Sequence, residues 1–219
     1  LGRAHGSGGD RVETVWDVGK TGEMECRVVH RDKRGSCLKY AAIKGADVAH
    51  GPGVRVSVFV SGCTHHCAGC FNEEAWDFCY GNPFTPEVED KILEALAPSY
   101  LKGLSLLGGE PFEPANQAVL LPFLRRVKEK YPDKEIWCYS GYTLDGELWQ
   151  ESRARCEHTD EMLSLIDVLV DGRFVEELKD LNLRFRGSAN QRIIDVPSSL
   201  KAHQVVEWKG EHTIQPIQK

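Results

Sequence analysis

The sequence predicts an α/β protein built on a mainly parallel sheet, and three observations carry that expectation. Short β-branched or apolar runs bounded by glycine and proline recur along the chain. Stretches with apolar residues at helical spacing stand between them. Each interval is long enough for a right-handed crossover, so successive strands are expected to run parallel. With 219 residues, 41% of them hydrophobic, the chain can bury one core without disulfides or metals.

The elements follow in order from residue 39. Residues 54–60, Val-Arg-Val-Ser-Val-Phe-Val, read as a strand between Gly51-Pro52-Gly53 and Ser61-Gly62. Thr85 offers an N-cap, Pro86 a first helical position and Glu87 an early acid; Val88, Ile92 and Leu96 then keep helical spacing until Pro98. Residues 103–107 form a short strand of buried type that ends in Gly108-Gly109. Residues 115–130 read as a helix, with Pro122 as the place for a bend. Residues 135–139 and 167–170 are two further strands, with a helix around 159–166 between them. In such sheets chemistry sits at the carboxyl ends of the strands. Segments 63–70 and 108–110 each follow a strand, so both are expected on that edge.

Charge and composition narrow the class. The 33 acidic and 27 basic side chains give a formal net charge of −6, which argues against nucleic-acid binding through a broad basic surface. No apolar run approaches the ~20 residues of a membrane span. The opening residues lack the apolar region of a secretory signal, and a cytoplasmic protein is expected. Residues 1–38 hold seven of the 21 glycines and few apolar side chains. They read as a flexible N-terminal extension, or as a start placed too far upstream, ahead of a folded domain over 39–219.

Eight cysteines in a reducing compartment point to metal binding or catalysis and not to a disulfide framework. Cys26, Cys37, Cys79, Cys138 and Cys156 are scattered, and the last three read as structural. Cys63, Cys67 and Cys70 share the string Cys63-Thr-His-His-Cys67-Ala-Gly-Cys70. Thiolates suit zinc and iron–sulfur clusters. A closed zinc site takes four ligands and a usual cluster takes four cysteines, so three leave one metal position for another molecule. Zinc completed by His65, His66 or Cys79 is the competing reading, against which stands the lack of a second cysteine pair. Buried structural cysteine is the other.

With its C-x3-C-x2-C loop after a strand, the chain resembles the radical S-adenosylmethionine superfamily. Its longer pattern is similar to one family within it, the activating proteins of the anaerobic (class III) ribonucleotide reductase. The likeness runs from about Tyr40 to Val196 and includes Gly51-Pro-Gly53, residues 59–67, residues 103–111, Ile136-Trp-Cys-Tyr-Ser-Gly-Tyr142, Val168-Leu-Val-Asp-Gly-Arg-Phe174 and Arg186-Gly-Ser-Ala-Asn-Gln191. Two departures are visible: His50 stands where Asp or Asn usually precedes Gly-Pro-Gly, and Ala189 replaces a usual serine.

The resemblance implies a partial (β/α) barrel with one 4Fe-4S cluster on Cys63, Cys67 and Cys70. It implies that S-adenosylmethionine chelates the open iron, with Gly69, Cys70 and Phe71 near the adenine and Gly108, Gly109 and Glu110 near the methionyl amino group. Reductive cleavage to a 5′-deoxyadenosyl radical would follow, and hydrogen abstraction from a glycine of anaerobic ribonucleoside-triphosphate reductase. A low-potential electron donor such as flavodoxin or ferredoxin is implied, with no nucleic-acid or membrane partner. A formate-lyase activase or a deazapurine synthase would share the cluster and differ in substrate. Arg184, Arg186, Asn190 and Gln191 form the candidate docking segment for the reductase, expected outside the cofactor pocket.

Plainer readings stand beside these. Gly-Gly-Glu-Pro is by composition a turn. Phe71 has core packing as its alternative. His65 and His66 read as solvated or hydrogen-bonded, because radical chemistry of this kind needs no general base. Ser140-Gly141 and Asp171-Gly172 either line a nucleoside pocket or turn the chain. Trp76, Trp137, Trp149 and Trp208 show no stacking pattern, and packing accounts for them.

Overall fold

The computed structural model describes residues 38–210, together with the backbone of 11–18 and 24–31. Those two segments are β1 (Arg11–Val18) and β2 (Met24–Arg31), an antiparallel pair. Residues 1–10, 19–23, 32–37 and 211–219 lie outside the described residues, and part of the expected N-terminal extension lies there too.

The domain is mixed α/β. Strands β3 (Lys39–Asp47), β4 (Val54–Val60), β5 (Asn82–Pro83), β6 (Leu101–Gly108), β7 (Glu135–Tyr139), β8 (Val168–Asp171) and β9 (Arg192–Asp195) form one sheet in the order β5-β3-β4-β6-β7-β8-β9. The four central strands β4, β6, β7 and β8 are parallel, as expected from the crossovers. Both ends are antiparallel, where β3 pairs with β4 and β5 with β3, and where β9 pairs with β8. These outer strands carry no strong period: β3 contains alanines and a glycine and is largely half-buried or exposed. Pairing with a neighbour, and not local pattern, makes them strands.

Four α-helices connect or follow the strands: α1 (Pro86–Ala95), α2 (Pro114–Lys130), α3 (Thr159–Leu165) and α4 (Val196–Ala202). Thr85 takes the extended N-cap conformation, although its side chain makes no capping bond. The α2 helix runs on through Pro122 and buries Val119, Leu120, Phe123, Leu124 and Val127. At α4 the Asp195 carboxylate accepts from Ser198 N, a true cap.

Strand register separates two faces. Val56, Val58, Leu104, Leu106, Ile136, Cys138, Leu169 and Ile194 share one core with α1 to α4 residues such as Ile92, Leu120, Leu163 and Val196. The other face carries Arg55, Ser57, Ser105, Trp137, Val168 and Val170, and Trp137 packs edge-on against Phe185 and Trp208. Because β4, β6, β7 and β8 are neighbours in sequence order, every crossover packs on the same face. The opposite face is left to loops, and the site forms there.

A buried cation closes the lower part of that open face. Arg55, fully buried, donates to Ser105 Oγ at 2.9 Å, Leu104 O at 3.0 Å and Glu135 O at 2.8 Å. Its charge meets the half-exposed Glu135 carboxylate at 3.4 Å. Replacement by methionine, Arg55→Met, leaves these acceptors unpaired and is expected to cost about 2–4 kcal/mol, read as a lowered urea midpoint.

Candidate active site

The loop after β4 and the loop after β6 meet edge to edge, as their strand positions predict. Gly109 N donates to Val60 O at 2.7 Å and Glu110 N to Gly62 O at 2.8 Å, while Gly62 N and Cys63 N bond the short helical turn Glu73–Trp76 through Ala75 O and Trp76 O. The glycine pair is demanded by this contact. A Cβ on Gly108, at φ +110°, would stand 2.6 Å from Val60 O, and one on Gly109 would stand 2.6 Å from Gly62 O.

Three side chains weld the two loops, and only one of them was a sequence candidate. Glu110, 1% exposed, accepts from Phe112 N at 2.8 Å, Ser140 Oγ at 2.9 Å and Gly141 N at 2.7 Å. Glu113 accepts from Thr64 N at 2.9 Å and Thr64 Oγ1 at 2.5 Å. The Asn116 amide donates to Glu110 O at 2.8 Å, Ser61 O at 3.1 Å and Gly62 O at 3.3 Å. Asn116 read in sequence only as part of the helix over 115–130 and Glu113 fell in no predicted element, which is why their role was not visible.

His65 is consumed inside this frame. Arg153 Nη2 stands 3.3 Å from its Nδ1; a guanidinium only donates, so Nδ1 accepts and Nε2 carries the proton toward Glu110 Oε2 at 2.9 Å. Its ring also packs on Tyr142, with centroids 4.3 Å apart. His66 leaves the site and packs on Trp76. The hydrogen-bonded reading of His65 therefore agrees with the geometry.

The three cysteines line one cavity of about 400 Å³ at the carboxyl edge of the sheet, together with Gly69, Phe71, Gly108, Gly109 and Glu110. Phe71 is 79% exposed, so core packing does not explain it. Burial, with the Glu110 and Glu113 carboxylates nearby, pushes the Cys63 thiol up to about 12. Burial also raises Cys67, against a backbone hydrogen bond from Phe174. Any metal bound here displaces thiol protons.

The donor set fits a cluster better than a single ion. Thiolates around one tetrahedral zinc sit about 3.8 Å apart, from a Zn–S bond of about 2.3 Å. Among the described residues no three His, Cys, Asp or Glu side chains are grouped to hold one ion. The fourth ligands weighed for zinc are also elsewhere: His65 is engaged by Glu110 and Arg153, His66 packs on Trp76, and Cys79 is exposed outside the cavity. Three thiolates on separate irons of one cluster need no such convergence. Cys138 is buried on the helix-facing side and Cys156 Sγ donates to Gln117 Oε1 at 3.4 Å, away from the cavity. The side chains of Cys26 and Cys37 fall outside the described residues.

Residues 49–194 match the model of a family described as "4Fe-4S single cluster domain". Anaerobic ribonucleoside-triphosphate reductase-activating protein of Vibrio cholerae is 48% identical over 158 residues, 71% of this chain and 97% of the relative. The protein of that name from Escherichia coli K12 is 41% identical over 156 residues, 70% of this chain and 96% of the relative. The chain belongs to this family. The relative of the same name from Enterobacteria phage T4 is 36% identical over 156 residues, covering 71% of this chain and 93% of the relative.

In this family member the remaining sequence candidates divide. Ser140 and Gly141 line the cavity while holding Glu110. Gly172 lines it as well, but Asp171 is fully buried and taken up by Leu144 N and Arg192. The docking segment differs in place from its expectation. Arg186 and Gln191 line the same cavity as the cysteines, whereas Arg184 lies over the Phe185 ring outside it. The reason is topological: β9 returns antiparallel to β8, so residues 173–191 cross the strand ends and touch the cysteine loop, with Glu176 against Gly69. Asn190 holds Arg173 O at 2.8 Å.

Asn116→Leu removes three hydrogen bonds at the junction of the loops. It is expected to cost about 2–4 kcal/mol and to raise hydrogen exchange at Glu110 N and Gly62 N ahead of the amides of β6.

Proposed function

We propose that this protein is a glycyl-radical activating enzyme whose substrate is the anaerobic ribonucleoside-triphosphate reductase. The observation that carries the reading is three cysteines of one loop facing the same cavity as Gly108, Gly109 and Glu110, in a chain of this family. Cys63, Cys67 and Cys70 would hold one 4Fe-4S cluster, leaving one iron for S-adenosylmethionine. When both are bound, they supply reductive cleavage of the sulfonium bond and a 5′-deoxyadenosyl radical that takes hydrogen from a reductase glycine.

The chain's own residues orient and shield. The backbone of Gly69, Cys70 and Phe71 offers an adenine contact on one wall. Gly108, Gly109 and Glu110 present carbonyls and a carboxylate to the methionyl ammonium on another. Glu110 already accepts several bonds, so its contribution is a fixed negative charge more than a free acceptor. Segment 173–191 covers the cavity and restricts water. The helices on a single sheet face support a partial (β/α) barrel, whose open side admits a loop of a protein substrate. Residues 39–219 are read as the catalytic domain, in the cytoplasm; among the described residues no helix is long and apolar enough to cross a membrane. A low-potential flavodoxin or ferredoxin is the proposed electron source, and neither nucleic acid nor membrane is a proposed partner. Docking is assigned to Arg184, Arg186, Asn190 and Gln191, with Arg184 on the rim.

Anaerobic reconstitution tests the cluster. The wild type is expected to hold iron and sulfide at about four each per chain, with the Ala variants of Cys63, Cys67 and Cys70 each losing both. Cys79→Ala, Cys138→Ala and Cys156→Ala are expected to keep them; iron loss in Cys79→Ala would mean a fourth protein ligand. For docking, Arg184→Glu is expected to weaken glycyl-radical formation on the reductase and flatten its salt dependence, measured by electron paramagnetic resonance against ionic strength.

A further inference from the structure

Segment 172–191 holds the turn after β8 and the motif that ends at Gln191, and docking alone does not account for its hydrogen bonds. Arg184 lies over the Phe185 ring outside the cavity, but the polar side chains at the end of the segment turn back on its start. Gln191 Oε1 accepts from Gly187 N at 2.8 Å and Ser188 N at 3.1 Å, and its Nε2 donates to Gly172 O at 3.0 Å. Asn190 Nδ2 donates to Arg173 O at 2.8 Å, and Ser188 Oγ accepts from Val175 N at 3.2 Å. The two halves also pair directly, with Ala189 N on Leu178 O at 2.8 Å and a bridge between Lys179 and Ser188. Ser188, Asn190 and Gln191 thus fix the backbone of 172–175, a stretch beyond the end of the β8–β9 ladder at Asp171–Arg192.

That backbone meets the cysteine loop. The Phe174 N–H donates to the Cys67 sulfur, and the Arg173 guanidinium adds a favourable charge there. Cys67 and Phe174 line the cavity together. Two residues further on, Glu176 lies against Gly69, where a Cβ would stand 2.6 Å from its carboxyl carbon. Gly69 has φ +68°, so the loop needs glycine there for its turn and for this contact. Arg173 is 51% exposed in its side chain and stands 3.6 Å from the Glu147 carboxylate, so its charge is partly screened. The N–H is the more constant of the two donors, because the backbone around it is held on both sides.

An N–H···S bond and a nearby cation both stabilise negative charge on a cluster ligand. One-electron reduction adds negative charge to the cluster; the electron comes from the low-potential donor and no proton moves. Both groups therefore favour the reduced state.

We infer that Ser188, Asn190 and Gln191 are positioning residues that press the Arg173–Phe174 backbone onto Cys67 and so raise the reduction potential of the bound cluster. The inference rests on the activase reading and adds how this chain brings its cluster within reach of an electron donor. It is tested on the full chain with Gln191→Leu, Ser188→Ala and Arg173→Gln, the last of which leaves every backbone bond in place. Each reconstituted variant is compared with wild type by redox titration followed by electron paramagnetic resonance, without S-adenosylmethionine or reductase. Iron and sulfide content and the urea midpoint are measured alongside.

At a fixed potential, Gln191→Leu and Ser188→Ala are expected to lower the ratio of reduced to oxidised cluster about three- to tenfold, tenfold being about 59 mV for one electron. Arg173→Gln is expected to lower it about two- to threefold, a difference that shrinks with added salt. Iron and sulfide are expected to stay at the wild-type level. A purely structural brace would lower the urea midpoint and leave the potential unmoved, which would overturn the inference. A shift in Arg173→Gln alone would assign the effect to charge and overturn it as well. Should Gln191→Leu lose its iron, Ser188→Ala decides; loss from both would make the segment a requirement for cluster assembly and overturn the inference. A wild type that forms no 4Fe-4S cluster removes the activase reading, and this inference with it. A wild type that holds the cluster, with variants that match its potential, removes the inference alone.

Discussion

The site depends on one constraint: two irregular loops are buried side by side, and every backbone group between them needs a partner. Buried polar backbone without a partner costs about as much as a lost hydrogen bond, about 1–3 kcal/mol each. The Asn116 amide answers three carbonyls from both loops at once, and the backbone bonds of Gly109 and Glu110 answer the rest of the seam. The glycines follow from the same closeness, since a Cβ on Gly108 or Gly109 would strike the facing backbone. What looks like a ligand motif is first a structural joint.

That joint places the cysteines. Thr64, between Cys63 and Cys67, is tied to Glu113; His65 is tied to Glu110. The loop that would carry a cluster is therefore braced by two carboxylates from the segment that would carry the cofactor. Rigid bracing of this kind keeps reacting groups in register without help from the ligand itself.

Sheet topology supplies the space. Consecutive parallel strands send each crossover to the same face, so the helices bury Val56, Leu104, Ile136 and Leu169 and leave the opposite face uncovered. Arg55 closes that face near the strand starts, and the cavity opens near the strand ends. An enzyme acting on a protein chain needs such an opening, whereas a sheet covered by helices on both faces leaves a crevice only at its edge.

The parallel strands and their helices were legible in the sequence because each is bounded by glycine or proline and carries its own period; residues 54–60, 135–139 and 86–95 are the clearest cases. The cysteine loop was legible too, since three thiols within eight residues lie close together however the chain folds. Strands β3, β5 and β9 were not, because their pairing comes from neighbours distant in sequence. Nor were Glu113, Asn116 and Arg153, whose side chains reach elements 29 to 88 residues away. Arg186 read as an outer docking residue until the antiparallel return of β9 folded its segment over the strand ends. Local pattern determines which segments become strands, helices and metal loops. Only the assembled chain decides which polar groups are buried against which others, because that is settled by the cost of leaving them unpaired.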